Sequence, residues 1–202
     1  SLNVISENAS TVGSFDLGLY KTENGSNEIL ENLENNKYEI VYLLGQDNLK
    51  FKKQNEFIIY QGSHGDKGAE IADIILPGAA YTEKNGLFIN LEGKLQSAYK
   101  ASYPPGDALE DWMIFKNLAK LFKKPFEFDN SSTLRKLIEK QINLKTRLKS
   151  NKVKNVKFVD YNIIIKNIDY YYTNPIARAS KVMNDCKKIS KNLNFIGVEK
   201  AS

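Results

Sequence analysis

The chain has 202 residues, 42% hydrophobic and 26% charged, with a formal net charge of +5 and a mean hydropathy of −0.44. Those proportions describe an ordinary globular chain of one domain or two small ones, and they exclude a disordered chain, a collagen and a disulfide-stapled miniprotein. With one Cys (Cys186), one His (His64) and two Met, it cannot alone supply the about four thiolates of an iron–sulfur cluster or the about four ligands of structural zinc.

Apolar runs are a few residues long, as at Phe57–Tyr60 and Ile163–Ile165, far short of the ~20 residues of a spanning helix. The chain is therefore expected not to span a membrane. Cysteine poverty fits a reducing compartment. The start, Ser1-Leu2-Asn3-Val4, has neither the basic region nor the apolar stretch of a secretory signal. It also lacks an initiator Met, and the expectation is a processed, split or partial product.

In chain order, Ile29, Leu30 and Leu33 predict a short amphipathic helix over Ser26–Asn36. Tyr38–Leu44, stopped by Gly45, and Phe57–Tyr60, stopped by Gly62, predict buried strands. A third apolar run, Ile71–Gly78, ends at Pro77-Gly78, because Pro lacks the ladder N–H and Gly accepts φ > 0. This order predicts α/β layering on a parallel sheet. Phe88–Asn90 and Lys94–Tyr99 flank the turn Leu91-Glu92-Gly93. After Pro104-Pro105-Gly106, Asp107 as N-cap and Glu110 as its reciprocal partner predict a helix to about Phe122, with Ala108, Trp112, Phe115, Ala119 and Phe122 on one stripe.

Composition shifts after Pro125. Leu134–Lys157 carries nine basic residues against one acid, Glu139, with helical spacing at Leu134, Leu137, Ile138 and Ile142. Val156–Tyr172 is rich in Val, Ile and Tyr and reads as extended. Asn174-Pro175 is an N-cap and first-turn pair opening a final helix through about Lys191.

Three constellations could carry chemistry. Gly62-Ser63-His64-Gly65-Asp66-Lys67-Gly68 follows a strand and could cradle an anion, although it matches neither G-x-x-x-x-G-K-[ST] nor G-x-G-x-x-G. A plain turn is the favoured reading, and Ser63, His64 and Asp66 are too close in sequence for a triad. Asp73, Glu83 and Glu92 flank turns and read as caps and surface ion pairs rather than metal ligands. Cys186 reads as a small buried hydrophobe. The basic stretch lacks interleaved aromatic residues, so nucleic acid is not the expected partner.

Tyr60–Asp66, Ala72–Lys84 (containing Asp73, Pro77, Gly78 and Glu83), Asn90-Leu91-Glu92-Gly93-Lys94 and Pro104-Pro105-Gly106 together resemble the large iron–sulfur subunit (G-type, 75 kDa) of respiratory complex I. The A-D-x-x-L-P, E-K and N-x-E-G segments also resemble the wider molybdopterin oxidoreductases. Tyr172–Ser180, containing Arg178, with Met183 and Cys186 after it, is similar to the C-terminal segment of the complex I protein, and Leu2-Asn3-Val4 and Phe15-Asp16-Leu17-Gly18 extend the match. Lys94 departs from the pattern, which usually has Arg there, and Lys cannot reproduce the planar bidentate fork.

The resemblance implies an α/β fold: the C-terminal portion of a molybdopterin-oxidoreductase-like domain over residues 1–126, and an α+β subunit-specific extension over 127–202. It implies no catalytic group, metal ligand or cofactor in this chain, with iron–sulfur clusters and FMN elsewhere in the assembly. The implied partners are the N-terminal iron–sulfur portion of the same subunit and other peripheral-arm subunits. The implied place is the mitochondrial inner membrane, matrix side, or the cytoplasmic face of a bacterial inner membrane. Gly62, Gly65, Pro77, Gly78 and Gly93 would serve turns. Two alternatives stand beside it: a molybdopterin-dependent oxidoreductase holding its cofactor through Ser63, His64, Asp73 and Asn90, and a nucleic-acid module built on Leu134–Lys157. The expected scaffold is unstable alone, because apolar strand faces are left uncovered.

Overall fold

The computed structural model describes residues 9–19, 25–49, 51–141 and 169–192. Three runs of β-branched, aromatic and leucine side chains form β1 (Ile40–Leu44), β2 (Phe57–Gly62) and β3 (Ile74–Pro77). They make one parallel sheet in the order β1-β2-β3, with Leu43 opposite Tyr60 and Tyr60 opposite Ile75. Strands of parallel sheets read as continuous apolar runs because such sheets are usually covered on both faces; here the expected burial is partial, and Ile40, Leu44, Phe57, Ile74 and Ile75 are exposed.

On one face Leu43, Ile58 and Tyr60 form a core at 4%, 0% and 1% exposure, packed by Val41, Leu49, Phe51, Ala69, Ile71 and Ala72. Burying each large side chain contributes roughly 1.5–3 kcal/mol. The helix α3 (Lys67–Glu70) links β2 to β3 on this side, and Asp66 caps it by accepting from Lys67 N. The opposite face meets α4 (Asp111–Leu121), where Phe115 stacks on Tyr42 with ring centroids 5.7 Å apart.

The start of α4 corrects the sequence expectation. Asp107 and Ala108 lie outside the helix, and Glu110 is the N-cap residue without a side-chain cap bond. Leu109 instead forms a parallel bridge with Gly78 at the end of β3, donating to Pro77 O at 3.1 Å. The Glu110 carboxylate accepts from Trp112 Nε1 at 3.0 Å and pairs with Lys100. The backbone has gone to the sheet and the carboxylate to Trp112, so no capping box forms. Phe122, placed on the apolar stripe by its spacing, is 74% exposed.

Before the sheet lie α1 (Thr11–Asp16), for which the sequence gives no forecast, and α2 (Gly25–Glu34), which buries Leu33 and leaves Ile29 and Leu30 exposed. Beyond β3, β4 (Gly86–Ile89) and β5 (Leu95–Ala98) pair as an antiparallel hairpin. The front of the basic stretch is helical, as α5 (Ser131–Gln141), and residues 142–157 lie outside the described part.

The predicted extended segment Val156–Tyr172 lies outside the described residues through 168, and Asp169–Tyr172 form a turn rather than a strand. There Asp169 Oδ1 accepts from the backbone N–H groups of Tyr171 and Tyr172. Asn174 caps the next helix as predicted, its Oδ1 accepting from Ala177 N at 2.8 Å, with Pro175 in the first turn. That helix is two: α6 (Pro175–Ala179) and α7 (Lys181–Asn192). Ser180 is extended (ψ 122°) and its Oγ accepts from Met183 N, so a serine inside the predicted helix acts as the cap of a new one.

Candidate functional site

The carboxyl ends of parallel strands are where open α/β sheets place ligands, and here two polar clusters converge there. The first is the loop after β2. Tyr60 donates its phenol to His64 O at 2.7 Å. A Cβ on Gly62 would overlap that same phenol oxygen, so the tyrosine can fold over the strand end only because residue 62 is glycine. Burial, with Asp47 and Asp66 nearby, pushes the Tyr60 phenol up to about 12, and Arg178 opposes this.

Asp66 meets Arg178 of α6. The guanidinium Nε donates to Asp66 Oδ2 at 2.6 Å and Nη2 to Asp47 Oδ2 at 2.5 Å, while Nη1 donates to Tyr172 O at 3.3 Å. The three side chains are 22%, 13% and 18% exposed for Asp66, Asp47 and Arg178. Desolvation raises the Asp66 carboxyl, but the Arg178 hydrogen bond, the Lys67 N–H and the adjacent positive charges outweigh it and hold the group below the usual carboxylate range. A planar fork can satisfy two carboxylates at once, which an ammonium cannot do with the same geometry.

The second cluster lines a cleft of about 410 Å³ formed in part by Gly45, Gln61, Ser63, Lys84, Asp111 and Asn174. Gln61 is fully buried, and its carboxamide is satisfied on both sides: Nε2 donates to Asp111 Oδ1 at 2.8 Å and Oε1 accepts from the Tyr42 hydroxyl. Lys84 donates to the other Asp111 oxygen. Burial and the Asp111 charge raise the Tyr42 phenol, keeping it a donor.

The four residues of the cofactor-holding alternative are not brought together. Ser63 lines the cleft, with its Oγ 3.0 Å from His64 Nδ1, and Asp66 is turned to Arg178 rather than to this imidazole. Asp73 lies at the other end of the sheet, before β3, where its oxygens accept from Ile58 N at 2.8 Å and Lys53 Nζ at 2.6 Å. The backbone bond from Ile58, with Lys53, lowers its carboxyl. Asn90 belongs to the β4–β5 turn, where its Oδ1 accepts from Glu92 N and Lys94 N, and Gly93 there has φ +82°.

Glu83 Oε2 accepts from Ala80 N at 2.9 Å. Gly78 donates to Gly62 O and has no positive φ; a Cβ there would lie 3.2 Å from Asp111 Oδ1, so its small size makes room for the carboxylate. Gly65 is neither crowded nor in the left-handed region. Cys186 is exposed, contrary to expectation, because Met183, Asn184, Lys187 and Ser190 form the more buried face of α7 and position 186 falls on the other side. Among the described residues, no three His, Cys, Asp or Glu side chains gather as metal ligands would, and no helix is long and apolar enough to cross a membrane.

Comparison with known proteins matches residues 1–121 to the molybdopterin oxidoreductase family and residues 132–186 to the C-terminal region of the G-type subunit of NADH-ubiquinone oxidoreductase. The NADH-ubiquinone oxidoreductase 75 kDa subunit of Reclinomonas americana is 37% identical over 94% of this chain and 29% of its own length. The G-type subunit of the Rickettsia bellii NADH-quinone oxidoreductase is 37% identical over 99% of the chain and 29% of its own. The mitochondrial NADH-ubiquinone oxidoreductase 78 kDa subunit of Candida albicans is 34% identical over 92% of the chain and 27% of its own. The chain thus spans less than a third of the length of these relatives.

The cleft does not fit the phosphorylated pterin that the family's name implies. Among the described residues that line it, the one cation, Lys84, is bonded to Asp111, and Gln61 is already bonded to Tyr42 and Asp111. Sequence reasoning misses Asp47, Gln61, Lys84 and Asp111 as site residues. A glutamine inside an apolar strand is the available signal, since buried carboxamides need partners.

Proposed function

The chain belongs to the molybdopterin oxidoreductase family, and from that premise we propose that it is the structural, cofactor-free C-terminal portion of the large iron–sulfur subunit of respiratory complex I. The observation that carries the reading is the order of the two matches in one chain, a molybdopterin oxidoreductase region followed by the C-terminal region of the large complex I subunit. Relatives named as subunits of NADH-ubiquinone and NADH-quinone oxidoreductase align over nearly the whole chain.

In this reading residues 1–126 are the family's α/β region and 127–202 the subunit-specific extension. The assembly transfers electrons from NADH through FMN and iron–sulfur clusters to ubiquinone and couples this to proton translocation. The chain itself performs no bond chemistry. It holds its place in the peripheral arm by docking against the iron–sulfur portion of the same protein and neighbouring subunits, on the matrix side of the mitochondrial inner membrane or the cytoplasmic face of a bacterial one. The ion pairing of Lys84 with Asp111 supports the absence of a pterin.

Isolation of complex I from the source membranes tests this. The expected result is this polypeptide in stoichiometric amount by mass spectrometry, with no molybdenum or tungsten assigned to it. A complex lacking the polypeptide, or a pterin metal bound at these residues, would overturn the proposal.

A further inference from the structure

The geometry points to a strap: α6 forms a movable wall of the cleft at the carboxyl ends of β1 and β2, and Arg178 is the latch that holds it against the sheet. Asn174, Pro175 and Ile176 line the cleft together with Gly45, Gln61 and Ser63. Part of the cavity is thus built by a segment whose latch lies 112 residues after the loop it grips.

Three features make this wall a separate part. It is one short helix of five residues, and a single turn has little stability of its own, because nucleation costs more than its few hydrogen bonds return. It is bounded on both sides by non-helical backbone, the Asp169–Thr173 bends before it and extended Ser180 after it. It is tied to the sheet by the two ion pairs of Arg178, one to the loop after β1 (Asp47) and one to the loop after β2 (Asp66). The two loops are themselves joined by Gly68 N donating to Asp47 O at 3.1 Å, so what the guanidinium adds is the tie between that joined pair and the wall.

Removing the arginine takes away the one cation that both carboxylates share and with it both ties between α6 and the loops. α6 then swings away from the sheet, so the latch sets how widely the cleft opens, without disturbing β4 and β5, which belong to another sheet.

The test uses the full chain with Ala79→Cys, a cleft-lining position 3% exposed, in a Cys186→Ser background. Maleimide labelling of that thiol is timed with Arg178 intact, with Arg178→Lys and with Arg178→Gln, and hydrogen exchange of the β4–β5 hairpin is followed in parallel. The expected result is labelling faster by about tenfold or more in Arg178→Gln, smaller acceleration in Arg178→Lys, and unchanged hairpin exchange, since opening a local unit leaves other units protected. Equal labelling rates would overturn the strap. So would acceleration accompanied by loss of hairpin protection, because the arginine would then be supporting the whole fold.

Discussion

Arg178 Nε lies 2.6 Å from Asp66 Oδ2 across 112 residues of sequence, and the same guanidinium reaches Asp47 across 131. The pairing joins the loops of the parallel sheet to the helix α6 at the level of single atoms. Deleting one partner of a mostly buried ion pair leaves an uncompensated charge, which costs about 3–5 kcal/mol when burial is complete. Asp66→Asn, by contrast, leaves Arg178 paired with Asp47, so no charge is stranded and the expected cost is that of a charge-assisted hydrogen bond, about 1.5–3 kcal/mol. Arg178→Lys keeps the charge but not the fork and should cost less. Hydrogen exchange of the amides in the loop after β2, compared between wild type and both variants, orders the three.

Asp73 gives a pH dependence of definite sign. Its carboxyl is held below the ordinary range by the Ile58 N–H and by Lys53. A depressed folded pKa contributes stability that is present above the unfolded value of about 3.9 and lost as pH falls through the lower folded value. Asp73→Asn should therefore lower the denaturation midpoint near neutral pH, and the gap from wild type should close below about pH 4. A gap that persists unchanged in acid would remove the ionised carboxylate from the account.

The glycines divide by geometry. A Cβ on Gly68 would come within 2.6 Å of Gln46 O, a backbone atom, and within 3.0 Å of the Tyr60 ring. Overpacking of this kind costs about 1–3 kcal/mol. Gly93→Ala must enter the left-handed region at φ +82°, a strain of roughly 1–2 kcal/mol. Gly65 has open space and an ordinary φ, so Gly65→Ala should be tolerated within about 0.5 kcal/mol. Thermal denaturation of the three variants should give one neutral and two destabilised proteins.

The strands were legible as continuous apolar runs ended by Gly45 and Gly62, but their expected burial holds only in part, since Ile40, Leu44, Phe57, Ile74 and Ile75 are exposed. Asn174-Pro175 was legible because a cap is local chemistry. The Asp107–Glu110 box misled because Leu109 found a partner on β3, a tertiary competitor that no local rule sees. Ser180 misled in the opposite sense: its own hydroxyl ended one helix and began another. At the site, resemblance pointed separately to Asp66 and Arg178, but their union and the role of Asp47 depend on chain folding over 131 residues.

Gln61 offers the most selective probe of the cleft. Its carboxamide is fully buried, donating to Asp111 and accepting from Tyr42. Gln61→Glu keeps the shape and the acceptor for Tyr42 but replaces the donor with a carboxylate facing Asp111. Burial and the like charge would both raise the new carboxyl above the usual glutamate value of about 4.3. The folded state would then favour the protonated form, so destabilisation grows as pH rises through the unfolded value and is relieved on acidification. At neutral pH the loss should reach about 2 kcal/mol or more, as for other buried groups stripped of a partner. Gln61→Leu, which carries no charge, should show a deficit without that pH dependence. Denaturation of both variants from pH 4 to 8 separates the two behaviours, and parallel curves would show that Asp111 does not face residue 61 as a charge.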